Sequence, residues 1–317
     1  MPDPRRRKSR RGRPAGWLFI SPWLVGLLVL FIFPFFASLY WSFCRYDLLS
    51  SPEWIGTEHY QRIAAEIWNG DGFGNALWNT LYYAALSVPL SIITAVLLAV
   101  MLSWRIRGQA IFRTLFFLPS IIPLVASSIL WLWLLDPQDG LVNHVLGWFG
   151  APPQLWFQGA QEAAHPGTML EFGSKDALVL MSTWGVGNFM LIYLAALGDV
   201  PPQLYEAAAL DGASRGRRFW HVTLPMLSPL ILFNLVLGLI KSFQAFTQVY
   251  LVSEGTGEPV GSTLLLSLHL FLAAFQDLEM GYTSAMAWLL FIVLFIATIL
   301  LFRSSRHWVH YRTSLGG

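Results

Sequence analysis

A helix that crosses the hydrocarbon core of a bilayer needs about 20 consecutive, mostly apolar residues. Six runs of that kind occur along the chain, at residues 17–43, 76–103, 111–135, 177–197, 226–252 and 282–302. None alternates polar with apolar residues as a transmembrane strand does. The pattern therefore predicts an all-α membrane protein with six transmembrane helices. Prolines inside the runs (Pro34, Pro89, Pro119, Pro123, Pro229) are compatible with this, because neighbouring helices and hydroxyl side chains satisfy the freed backbone groups. A further stretch, residues 262–280 (STLLLSLHLFLAAFQDLEM), is nearly long enough to span and ends on Asp277 and Glu279. Counted as a span, it would send the basic C-terminal tail to the opposite face. It is read as an outer-face or partly inserted helix.

Composition agrees with a membrane setting. Of 317 residues, 55% are hydrophobic and 12% charged, against roughly 25% charged in an ordinary soluble domain. The mean hydropathy is +0.54. Disorder, a coiled coil and a disulfide-stapled secreted scaffold are excluded, and the single Cys44 cannot form an internal disulfide.

Charge sets the expected orientation. With the N-terminus inside, 16 of the 20 Lys and Arg residues fall on the inner side and 14 of the 18 acidic residues on the outer. Both termini are then cytoplasmic, with a basic tail at residues 1–16, a transmembrane domain at 17–302 and a second basic tail at 303–317. The first run could also be read as a signal peptide. It is too long for a typical apolar h-region, and no small-x-small cleavage site follows it. The basic tail reads as a topology signal and lipid contact, with no nucleic-acid role.

Catalytic patterns are missing. There is no Gly-x-x-x-x-Gly-Lys-Ser/Thr loop and no Gly-x-Ser-x-Gly, and the lysines number three: Lys8, Lys175 and Lys241. His307 and His310 stand three apart without a third ligand. No paired carboxylates lie within a run, so neither an enzyme nor a metal site is expected, and no cofactor on this chain.

The connection between the fourth and fifth runs, GDVPPQLYEAAALDGASRGRRFWHVTLPML, is longer than a turn needs. Pro201-Pro202 stop one helix. A short helix at 203–210 is broken at Asp211-Gly212, where Gly permits the bend and Asp can cap the next helix. That second short helix, at 213–223, carries three arginines, and Pro225 starts the next run. From composition alone this could be an amphipathic pair resting on lipid headgroups.

The order of residues is more specific. Glu206-Ala207-Ala208, two residues, Asp211-Gly212-Ala213, five residues, Phe219, two residues, Val222, one residue and Leu224-Pro225 closely resembles the EAA loop of membrane subunits of binding-protein-dependent ABC importers. WGVGNFMLIYLAAL before the loop, SFQAFTQVYLVSEG after it and the final RHWVHYR resemble the sugar-transporting branch, the maltose, lactose and glycerol-3-phosphate permease type, over nearly the whole chain. Where that branch often has Gly-Gly-Pro after the fifth span, this chain has Glu254-Gly255-Thr256-Gly257-Glu258-Pro259.

The resemblance implies a permease of the inner or plasma membrane, not itself an enzyme. It would pair with a second permease chain and two copies of a cytoplasmic ATP-binding subunit, and would receive a sugar, oligosaccharide or glycerol phosphate from an extracytoplasmic solute-binding protein. ATP and Mg would sit on the partner subunit. The loop at 203–225 would be the coupling segment. Glu206 and Asp211 would be its polar anchors, Ala207, Ala208 and Ala213 small packing positions, Gly212 its bend, Phe219 and Leu224 its packing residues, and Pro225 its exit. The alternative class, an ion-coupled carrier, should show intramembrane ionisable pairs; Lys241 has no acidic partner within a run.

Two sets of residues are candidates for a substrate path. Asn234, Lys241, Gln244 and Gln248 are spaced seven, three and four apart, one stripe on a continuous helix, with Phe243, Phe246 and Tyr250 interleaved. A lysine at membrane depth is costly and marks function by default. Amides and aromatic faces suit a sugar, although amides also glue helix to helix. Asn188 and Phe189 match the stretch that approaches ligand in the maltose-type permease, while the glycines beside them could serve close helix packing.

Overall fold

The computed structural model describes residues 13–104, 107–157, 173–258 and 261–310, with side chains from residue 17. The two tails at 1–12 and 311–317 lie outside the described residues, as do residues 158–172 of the connection between the third and fourth runs. The described chain is mostly helical, with almost no strand. Four helices are long and apolar enough to cross a membrane, and two bent pairs bring the total to six.

The first span is α1 (Arg13–Leu27), a π turn at Leu28–Ile32 and α2 (Phe33–Trp41). The π turn precedes Pro34, whose missing N–H and bulky ring disturb the ordinary ladder. None of its most apolar stretch is buried within the chain. It touches the rest through Phe35, whose ring lies 4.7 Å from that of Trp288. A short antiparallel ribbon follows, β1 (Cys44–Arg45) on β2 (Glu53–Trp54), a departure from all-α that runs of two residues give no sequence signal for.

Next come α3 (Glu58–Asn69) and α4 (Gly72–Ser103), the longest helix at 32 residues. It starts four residues before the predicted boundary because its first turn is capped from outside: the Glu66 carboxylate accepts the Phe73 N–H at 2.9 Å. Pro89 is absorbed within it. This helix is the spine of the fold, packing on α3 and on five later helices, and it contributes to each of the three buried clusters.

Three of the predicted continuous spans are interrupted. The third is α5 (Gln109–Phe117), a 3₁₀ turn at Leu118–Ile121 and α6 (Leu124–Leu134), bent by 100°. Here the prolines do break the helix. Pro119 lies in the turn and Pro123 follows it, and the residue before Pro123, Ile122, is driven to extended backbone (φ −66°, ψ 129°). After α7 (Leu141–Trp148), the fourth span is α8 (Ser174–Trp184) and α9 (Gly187–Gly198), bent by 46° at Gly185-Val186. The bend lets α9 press on the third span: a Cβ on Gly187 would lie 2.6 Å from the Phe116 carbonyl oxygen.

The fifth span departs from expectation at both ends. After α10 (Pro202–Leu210), helix begins at α11 (Arg215–Arg218) and runs through a π turn at Phe219–Thr223 straight into α12 (Leu224–Phe243). The predicted separate helix at 213–223 is thus the first part of the span. Pro225 does not start it; the wider π register accommodates a proline whose N–H cannot reach back. At the other end α12 stops at Phe243, and α13 (Thr247–Val252) resumes after three residues.

Residues 262–280 do not span. Their helix, α14 (Leu266–Phe275), has 10 residues, about 15 Å of rise. It is bound sideways to the spine: Asn79 donates to the Gly261 and Leu264 carbonyls at 2.8 and 3.1 Å, and the Thr80 hydroxyl accepts the Leu266 N–H at 2.9 Å. The last span, α15 (Met280–Ser305), is unbroken.

Candidate functional site

The three interruptions meet. The 3₁₀ turn at Pro119-Ser120, the bend at Trp184-Gly185 and the break at Gln244–Phe246 all face one cavity of about 490 Å³, closed on its fourth side by α4. Irregular backbone at membrane depth is tolerated where it lines a cavity, because the freed polar groups then find water or ligand. Some are satisfied within the fold. The Gln244 N–H is shared between the Ile240 and Lys241 carbonyls at 3.2 Å each, and the Ser267 hydroxyl of α14 donates to the Ala245 carbonyl.

Of the residues singled out for a path, Phe189, Asn234, Lys241, Gln244 and Gln248 line this cavity. Asn234, Lys241, Gln244 and Gln248 do so across the break, so the stripe is not that of a continuous helix. Asn188 does not line it: one residue along α9 turns about 100° away from Phe189, and Asn188 is exposed on the other side. Phe246 lines the cavity, and its ring lies 5.4 Å from Tyr250 and 5.0 Å from Phe271. Phe243 is 1% exposed, packed in the cluster shared by α3, α14 and α15.

Sequence reasoning missed the hydroxyls. Ser87 and Ser91 of α4, Ser120, Ser127, Ser182 and Thr247 also line the cavity. The Ser87–Ser91 spacing, one turn apart on an otherwise apolar span, was the available signal. The wall thus combines hydroxyls, amides, one ammonium and aromatic faces. Trp184 meets Trp131 edge-on with ring centroids 5.9 Å apart, and the Lys241 ammonium lies 5.5 Å from the Phe189 ring centre. This set suits a polyhydroxylated ligand with apolar ring faces.

At the other end of α12 stands the loop. Its turn is a Schellman cap: the Gly212 N–H reaches the Ala209 carbonyl at 3.1 Å and the Ala213 N–H reaches the Ala208 carbonyl at 2.9 Å. Gly212 holds φ +74°, so glycine at this position is a backbone requirement of the bend. Ser214, not Asp211, caps the following helix, accepting the Arg217 N–H at 3.4 Å. Arg218 Nε donates back to the Ala213 carbonyl at 2.9 Å, and the Tyr205 and Thr223 hydroxyls meet at 3.1 Å. Phe219 packs inward with Tyr193 and Leu227, and Leu224 and Pro225 are half-buried.

The outward side is bare. Glu206, Ala207, Asp211 and Gly212 are exposed, Ala208 and Ala213 are half-buried, Leu210 is 90% exposed and Trp220 is 64% exposed. Nothing among the described residues covers this apolar tip, an exposed patch of the kind that suits contact with another surface. Among the described residues no group of three or more His, Cys, Asp and Glu could hold a metal.

Residues 87–313 match the family described as "Binding-protein-dependent transport system inner membrane component". The matched region contains the loop and most of the cavity wall. The probable ABC transporter permease protein YesP of Bacillus subtilis is 40% identical over 310 residues, covering 97% of this chain and 95% of that protein. The lactose transport system permease protein LacF of Rhizobium radiobacter is 33% identical over 298 residues, covering 92% of this chain and 94% of that protein. In fold, the chain is similar to one in the crystal structure of a bacterial alginate ABC transporter in complex with alginate pentasaccharide-bound periplasmic protein, with a TM-score of 0.72 at 21% identity, covering 92% and 94% of the two chains. With the family pattern matched over more than two-thirds of its length, the chain belongs to the binding-protein-dependent transport system inner membrane components.

Proposed function

We propose that this chain is a transmembrane subunit of an ABC importer and forms part of the path for a carbohydrate or related solute, with ATP hydrolysed on a separate subunit. The observation that carries the reading is a connection. The exposed turn at Leu210–Gly212 leads, through a capped joint and an unbroken helix, to Lys241 at the cavity. In this reading both termini and the loop at 203–225 are cytoplasmic, and the loop seats in a cleft of the ATPase. A second permease chain completes the path, and a solute-binding protein loads it from outside. When ATP closes the partner dimer, the loop moves as a rigid piece and the spans rock between inward-open and outward-open arrangements. LacF, named for lactose, and the amide, hydroxyl and aromatic lining support a sugar as cargo.

Glu206 and Asp211 anchor the exposed face, Ala207, Ala208 and Ala213 allow close approach, Gly212 keeps the turn, and Phe219, Leu224 and Pro225 join it to the span. In the cavity Phe189, Lys241, Gln244 and Gln248 contact the solute; Asn188, on the far side of α9, is left to face lipid or the second permease. The test is Glu206→Lys and Gly212→Pro in the assembled importer. Co-purification of the ATPase subunit and solute uptake both fall while membrane insertion is retained. Unchanged uptake in both variants removes the coupling role.

A further inference from the structure

We infer that the solute passing through this cavity carries a negative charge, a sugar bearing a carboxylate or a phosphate, and that Lys241 is its counter-charge. The inference rests on the cavity being the path. Among the described residues lining it, Lys241 is the one charged side chain; the rest are amides, hydroxyls, aromatics and aliphatics. No carboxylate of the described chain lies within 4.0 Å of its ammonium, and the side chain is exposed toward the cavity with only the Phe189 ring near its charge. A cation held at membrane depth is expensive unless something neutralises it.

The neutral polar groups of the wall accept either kind of sugar, which leaves the ammonium as the discriminating feature. Asn234, two helical turns before Lys241, is 1% exposed and lines the cavity, with the Tyr193 hydroxyl as its polar neighbour. A neutral sugar would satisfy Asn234, Gln244 and Gln248 but leave the ammonium uncompensated. An anionic sugar satisfies both.

The chain's single thiol, Cys44, is fully buried, so an introduced cysteine is the one accessible thiol of this chain, and labelling is read on this subunit after separation from its partners. Gln244→Cys is placed in the assembled importer and labelled with ethyl methanethiosulfonates carrying either a sulfonate or a trimethylammonium group, each rate divided by that for a free thiol. The sulfonate reagent is expected to lead by about tenfold, and Lys241→Gln to erase the lead, because one charge within several ångströms in a partly dry site acts on both reagents with opposite sign. Lys241→Arg keeps it.

Protection then addresses the cargo. Galacturonate or glucose 6-phosphate is expected to slow labelling, and galactose at equal concentration not to; whichever anion protects assigns the group as carboxylate or phosphate. Equal normalised rates with and without Lys241, protection by galactose as strong as by the anions, or no protection by either anion overturns the inference while leaving the path reading intact. If Gln244→Cys reacts with neither reagent in an importer that still takes up solute, the cavity is not the path, and that reading fails first.

Discussion

The Tyr205 hydroxyl meets the Thr223 hydroxyl at 3.1 Å, joining α10 to the π turn at the root of the fifth span. A hydrogen bond of this kind contributes about 1 kcal/mol. That is little for stability but decisive for whether the exposed helix and the span move together. Tyr205→Phe is expected to lower uptake several-fold while basal ATP hydrolysis of the complex persists, read as solute imported per ATP split. Thr223→Val should do the same, and the double variant no more, since both remove one bond.

Gly212 gives a separate handle on the loop. A side chain there meets no other atom within 4 Å, so space is no obstacle; the cost is its φ of +74°. Gly212→Ala should weaken the turn by about 1 kcal/mol, the ordinary left-handed penalty, and reduce the amount of ATPase subunit retained on purification. Asn tolerates this backbone better, so Gly212→Asn should retain more.

Gly187 tests the joint between α9 and the third span. Its added Cβ would lie 2.6 Å from the Phe116 carbonyl and 2.8 Å from the Phe117 Cα, both backbone, which cannot rotate away. Gly187→Ala should destabilise the purified protein by about 1–3 kcal/mol, seen as a lower melting temperature in detergent. Gly185→Ala, with open space around it, should cost far less.

Acid acts elsewhere. Burial pushes the Glu66 carboxyl up, but the Tyr282 hydroxyl, the Phe73 N–H and Arg62 together outweigh it and hold Glu66 below the usual carboxylate range. Arg62 in turn grips Glu279 at 2.8 Å, so the cluster ties α3 to the start of α15. A carboxylate depressed in the folded state stabilises above its unfolded pKa, and that stabilisation is lost as pH falls through the folded value. The melting temperature should therefore drop below about pH 4, and Glu66→Gln should show a shallower drop from a lower start.

What the sequence revealed depended on the kind of signal. The first, second and last spans are long apolar runs, and composition alone finds them. The loop is legible because its residues keep a fixed spacing around Gly212, where the cap's left-handed backbone favours glycine. The breaks were harder. Pro34, Pro89 and Pro229 sit inside helices while Pro119 and Pro123 end one, because two prolines four residues apart leave no room for a regular turn between them. The interruption at Gln244–Phe246 contains neither proline nor glycine and leaves no local mark. Asn188 and Phe189 differ only in phase, and an apolar span with glycines at 185 and 187 does not declare which face is inward.

The helix that begins at Arg215 continues to Phe243 without interruption, a rod of roughly 43 Å where the hydrocarbon layer measures about 30 Å. Standing upright, about 30% of it projects beyond the oily slab as a handle. Pivoted near its middle, a tilt of about 10° swings either tip by some 4 Å at that length. That is more than the length of a hydrogen bond, so a modest push on the handle is enough to make or break contacts at the far tip.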